Sequence, residues 1–127
     1  MLTYLAVGLG GAIGSCLRYG ITTLSETHYP GFPFGTLISN VIAGILIGFI
    51  LELNRDAGFL SKNTKLFLTT GTLGGLSTFS TFSAETVNLF KDGSYFLSFL
   101  NVGLNLGLSL LGVLAGTFLA RSVVKGF

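Results

Sequence analysis

The sequence predicts an all-α membrane protein with four membrane-spanning helices and no soluble domain, and two features carry the prediction. Only 9% of the 127 residues are charged while 50% are hydrophobic; a soluble domain carries about 25% charged residues. A water-facing surface cannot be assembled from so few charges, whereas a lipid-facing surface needs none. The charges are also absent in blocks: residues 1–17, 31–51, 66–84 and 93–120 contain no Asp, Glu, Lys or Arg. A helix crosses a bilayer core with about 20 apolar residues. Membrane β-strands fit poorly, because they need alternating segments of about 10 residues. The chain 1–127 therefore reads as a single transmembrane domain.

The first helix is placed at about 2–24 and carries Arg18 in its second half. Its start has no preceding basic residue and no small-x-small cleavage site, so it reads as a span and not as a removed leader. A loop from Ser25 through His28 and Tyr29 to Pro33 ends it, with Pro30 and Pro33 as breakers. The second helix is placed at 34–53 and is followed by a polar loop. The third is placed at 65–90, with a turn at Lys91-Asp92-Gly93, and the fourth at 94–121. No half of the chain repeats the other. Of the seven basic residues, Arg55, Lys62, Lys65, Arg121 and Lys125 fall on the side of the N-terminus, while Arg18 and Lys91 lie nearer the other side. Five against two leans toward a cytoplasmic N-terminus.

Eight of the 19 glycines fall in four pairs four apart: Gly10/Gly14, Gly44/Gly48, Gly103/Gly107 and Gly112/Gly116. That spacing puts both on one helix face and lets backbones approach closely, within the chain or against a second subunit. Gly74-Gly75 admits two readings. One is a break in the third helix, which mid-membrane is tolerated only where protein, ions or water satisfy the freed backbone. The other is a straight helix with glycines at a packing face.

Several polar groups lie where lipid would penalise them. Ser77, Thr78, Ser80, Thr81 and Ser83 surround the glycine pair. They either bond back to their own helix carbonyls or act as neutral donors that solvate an anion without trapping it. Phe79 and Phe82 share a helix face and serve either ordinary packing or, through their positive ring edges, weak stabilisation of an anion. Ser94, Ser98, Asn101, Asn105 and Ser109 are spaced 4, 3, 4 and 4, hence on one face of the fourth helix. That stripe meets either a partner helix or a wet path. Asn40 adds a buried amide in the second helix, with Thr36 one turn before it. Arg18 is a basic residue within a span, or one reaching to the headgroups.

Other chemistry is excluded. Cys16 is the single cysteine, so no intrachain disulfide forms. His28 stands without ligand-type neighbours, and no metal-ligand spacing, catalytic triad or phosphate-binding loop is present. The chain reads as no enzyme, and a net charge of +2 without a basic cluster gives no nucleic-acid interface. A proton-coupled multidrug exporter needs an in-span carboxylate; Glu85, late in the third helix, comes closest. A non-transporting assembly subunit is the other alternative.

The run Gly74-Gly75-Leu76-Ser77-Thr78-Phe79-Ser80-Thr81-Phe82-Ser83 resembles the Fluc/CrcB fluoride-channel family. Gly11-Ala12 with Gly14-Ser15 and Arg18-Tyr19 is similar to the family's first-helix motif, and Gly35-Thr36-Leu37 with Asn40 to its second. The resemblance covers essentially the whole chain. It implies an antiparallel, dual-topology homodimer in a bacterial inner membrane, with two pores that export fluoride passively. Within it, Phe79 and Phe82 match pore phenylalanines and Asn40 a pore asparagine. Ser80, Thr81 and Ser83 match a polar track, Ser109 a fourth-helix pore hydroxyl, and Asn105 lies near a polar position. Gly74 and Ser77 match positions whose backbone carbonyls hold a structural sodium ion, and Arg18 matches a first-helix arginine. Ser77 stands where many members have Thr. The five-to-two charge bias leaves room for a heterodimer with an oppositely oriented chain.

Overall fold

A computed structural model describes residues 1–126, with side chains for all of them but Asp56 and Ala57. Its regular elements, among the described residues, are all helices. Helix α1 spans Leu2–His28 and α2 Phe34–Ala57. Helix α3 comprises an α-helical turn, Lys62–Leu66, a π-helical stretch, Phe67–Leu73, and a last turn, Gly74–Leu76. Helix α4 spans Phe79–Lys91 and α5 Tyr95–Lys125. Together α3 and α4 occupy the place of the expected third helix.

Three helix ends fall later than the sequence suggests. Helix α1 continues through Ser25 to His28, because nothing before Pro30 forbids helix and Thr27 Oγ1 bonds back to Thr23 O at 2.9 Å. His28 is thus a last-turn residue, not a loop residue. Helix α2 passes 53 and stops at Gly58, whose φ of 57° is the left-handed conformation that glycine adopts without strain. Helix α5 keeps Arg121 and Lys125 within it, where positive charge favours a helix C-terminus. Arg121 Nε also bonds Glu52 Oε1 of α2 at 2.7 Å, tying the two helix ends together.

The inside and outside are inverted relative to a water-soluble bundle. Leu5, Leu9, Phe96, Phe99 and Leu110 are each at least 60% exposed, whereas Asn101 and Ser39 are fully buried. Apolar groups outside and amides inside suit a hydrocarbon solvent. Among the described residues two helices, over Phe34–Arg55 and Tyr95–Lys125, are long and apolar enough to cross a membrane by length and composition.

Glycine sets the packing. A Cβ on Gly71 would meet Val7 O at 2.8 Å and the Gly10 Cα at 3.0 Å, so α1 and the π-helical stretch touch backbone to backbone. Gly44 and Gly48 of α2 meet the Ser109 and Val113 carbonyls of α5, and Gly112 and Gly116 meet those of Val41 and Ile45. Gly103 and Gly107 meet nothing within 4 Å and face out of the chain.

Candidate functional site

The chain direction changes at Ser77-Thr78, and the site is built around that point. Ser77 (φ −80°, ψ 152°) and Thr78 (φ −154°, ψ 122°) are extended, and α4 begins at Phe79. Gly74 and Gly75, where the sequence invites a break, are helical instead. Gly75 is a packing residue: a Cβ there would meet Gly11 O at 2.6 Å. The turn follows two residues later because Thr78 is an N-cap. Its Oγ1 accepts from Thr81 N at 3.2 Å, taking one of the amides a helix start leaves unpaired.

An extended peptide needs partners for its N–H and C=O, and Asn40 of α2 supplies both. Thr78 N donates to Asn40 Oδ1 at 2.8 Å, and Asn40 Nδ2 donates to Thr78 O at 3.2 Å. In an unbroken helix Thr78 N would bond the Gly74 carbonyl; its diversion to Asn40 leaves that oxygen without its helical donor. The Gly75 carbonyl receives Arg18 Nε instead, at 3.0 Å. Arg18 also reaches Thr81 Oγ1 at 3.4 Å, so α1 braces both sides of the turn.

A cavity of about 520 Å³ opens beside the turn on the surface of the chain. It brings together Asn40, Phe79, Phe82, Asn105 and Ser109 with Gly74 and Ser77, and no charged residue lines it. The two phenylalanines differ sharply: Phe82 is 6% exposed and Phe79 73%. Their rings meet edge to face with centroids 5.4 Å apart. Ser109 Oγ is buried and has no hydrogen-bond partner among the described residues.

The remaining predicted residues lie outside that cavity. Ser80 is exposed, Ser83 Oγ bonds back to Phe79 O at 2.8 Å, and Thr81 sits between Arg18 and Thr78. The stripe on α5 turns inward for much of its length. Ser98 Oγ donates to Thr86 O at 2.8 Å, and Asn101 and Asn105 are buried. Glu85 of α4 accepts from Thr36 Oγ1 at 2.6 Å, away from the cavity.

Thr86, and Asn101 of the polar stripe, are connected to the cavity residues by hydrogen bonds without lining the cavity. Asn101 Nδ2 donates to Thr86 Oγ1 at 2.9 Å, Asn105 Nδ2 to Asn101 Oδ1 at 2.9 Å, and Asn40 Nδ2 to Asn105 Oδ1 at 2.9 Å. The polar stripe held the signal for Asn101. Nothing local marks Thr86, which looks like any helical threonine bonding its own i−4 carbonyl.

A helical bundle with apolar exterior, amide-lined interior and an uncharged polar cavity at a turn defines a membrane protein built around a small polar site. A family model described as "CrcB-like protein, Camphor Resistance (CrcB)" matches residues 5–117. A protein of Clostridium perfringens described as "Fluoride-specific ion channel FluC" is 51% identical over 122 residues, 95% of each chain. One of the same description from Clostridium novyi is 48% identical over 124 residues, 97% of each chain. Another from Geobacter sulfurreducens is 42% identical over 97% of this chain and 100% of its own. The chain belongs to the CrcB family.

Proposed function

We propose that this protein is a fluoride-selective channel that lets fluoride leave a bacterial cell passively through the inner membrane. The observation that carries the reading is the composition of the cavity: phenylalanine rings, mutually hydrogen-bonded amides and hydroxyls, among them Ser109 with no partner among the described residues, converge there without a charge. Fluoride is small and strongly hydrated, so a path must replace its water. A fixed positive charge would hold the ion, whereas neutral donors and ring edges permit it to move on. The relatives described as fluoride-specific channels, matched over nearly the whole chain, support the same reading. The activity is conduction, not catalysis.

A cavity open on the chain's surface needs another wall, and a largely exposed Phe79 needs a neighbour. We take that wall to be a second copy in antiparallel orientation, giving two pores, each crossing the membrane with the turn at Ser77-Thr78 inside it. An oppositely oriented second chain would serve equally. In this reading α1, α2, α3 with α4, and α5 make four spans per chain. The Gly74 carbonyl, turned free by the Thr78 amide, is the kind of oxygen a hard cation accepts. With Ser77 and their counterparts in the twin it fits a structural sodium ion between the chains. Sodium would supply positive charge that holds the two turns together.

Fluoride efflux from proteoliposomes tests the function. Phe79→Ile with Phe82→Ile keeps apolar volume but removes the ring edges, and efflux is expected to fall by more than about tenfold, the scale of losing one or two aromatic contacts of ~0.5–1.5 kcal/mol each. Unchanged efflux would remove the phenylalanines from the path. For the sodium site, exchanging sodium for choline is expected to lower the thermal midpoint, since a ligand at about 100 times its Kd contributes ~2.7 kcal/mol. A midpoint indifferent to the cation would dismiss that site.

A further inference from the structure

The side-chain amides between α2, α4 and α5 form a chain with a direction, which the Thr78 N–H sets at one end and the Thr86 hydroxyl, turned to the Phe82 carbonyl, matches at the other. At one end stands Thr78 N–H, which can only donate; it meets Asn40 Oδ1 at 2.8 Å. Asn40 must then turn its amino group to Thr78 O and to Asn105 Oδ1. Asn105 in turn donates to Asn101, reaching Oδ1 at 2.9 Å and the backbone O at 3.0 Å. Asn101 donates to Thr86 Oγ1. The other end is the Phe82 carbonyl, which can only accept; it takes the Thr86 hydroxyl proton at 2.8 Å. An asparagine amide is a donor on one arm and an acceptor on the other. Reversing any one of the three would set donor against donor or acceptor against acceptor.

We infer that Thr86 and Asn101 are positioning residues that set the orientation of the cavity amides, and so keep amide oxygen away from the ion path. All three side-chain oxygens in the chain are covered by N–H donors: Asn40 Oδ1 by Thr78, Asn105 Oδ1 by Asn40, and Asn101 Oδ1 by Asn105. No bare amide oxygen, which would repel an anion, is left to face the cavity from these residues. The chain begins and ends on the segment carrying Phe79 and Phe82, so it also fixes that segment at both ends. Neither positioning residue lines the cavity. The functional part of this inference rests on the proposed conduction of fluoride; the orientation itself does not.

Thr86→Val has the shape of threonine but neither accepts from Asn101 nor donates to Phe82. Amide hydrogen exchange at Thr78, measured by NMR on isotope-labelled full-length protein in detergent, reads the far end of the chain. Thr86→Val is expected to speed that exchange about tenfold and to slow fluoride efflux by a similar factor, the size of one lost buried hydrogen bond. Thr86→Ser, which keeps the hydroxyl, is expected to restore both. Thr86→Cys, a weaker acceptor of similar volume, is expected to shift Thr78 exchange in the same sense by less, and serves if the valine variant does not fold. Thr78 exchange at the wild-type rate in the valine or cysteine variant overturns the inference, whatever happens to efflux. Altered Thr78 exchange in a protein whose wild type passes no fluoride upholds the orientation chain and refutes the conduction reading.

Discussion

Asn40→Leu is expected to reduce fluoride efflux by more than about a hundredfold while leaving α2 helical. Leucine has nearly the same size and a good helix propensity, so the helix itself has no reason to fail. What is lost is the partner of a whole peptide: Thr78 N–H and Thr78 C=O both bond this one side chain, and Asn105 Oδ1 takes its second amide hydrogen. Each buried group left without a partner costs ~1–3 kcal/mol. Three such groups exceed the ~2.7 kcal/mol that corresponds to a hundredfold. Ser77 and Thr78 then have less reason to stay extended, and Thr78 N–H can return to the Gly74 carbonyl and extend α3. That would rotate Phe79 and Phe82 off the cavity. Efflux from proteoliposomes gives the rate, and circular dichroism checks that helicity persists. Near-normal efflux would mean that the turn is held by something other than this amide.

The same residue shows what the sequence could and could not disclose. The uncharged runs marked where helices lie, because the stretch of a helix that faces lipid is nearly free of charge. The spacing 3, 4, 4 of Ser98, Asn101, Asn105 and Ser109 was legible because a helix repeats its face. Where the third helix would turn was not. Glycine absence of a side chain serves both bending and close approach, and only the contact of Gly75 with Gly11 O decides for the second. The turn depends instead on a pairing 38 positions apart, between Asn40 and Thr78. Arg18 poses the same difficulty: its partner, the Gly75 carbonyl, is 57 positions away. Threonine is a favoured N-cap residue, and Thr78 carries that helix-start signal. The neighbouring glycines permit bending as well as contact, and Gly75 here provides contact.

Gly116→Ala is expected to destabilise the fold by about 1–3 kcal/mol, the usual range for overpacking, while the same substitution at Gly107 stabilises it slightly. Both glycines sit within α5, where exchanging glycine for alanine gains ~0.5–1 kcal/mol from backbone entropy alone. At Gly107 a Cβ meets nothing within 4 Å of the chain, so that gain stands alone. At Gly116 the Cβ would run into the Ile45 carbonyl and come within 2.8 Å of Phe49 N. Both are backbone atoms of α2 and cannot swing aside as a side chain would. The helices must separate, and each van der Waals contact between them weakens, because lipid supplies no hydrophobic force to press them together. The opposite signs matter more than the sizes, since entropy is common to both variants. Thermal unfolding of the two variants in one detergent measures the difference directly. If both stabilise alike, the contact of α2 with α5 is looser than the glycine geometry requires. If Gly107→Ala instead separates a dimer without unfolding the chain, the outward glycine pair belongs to the surface between subunits.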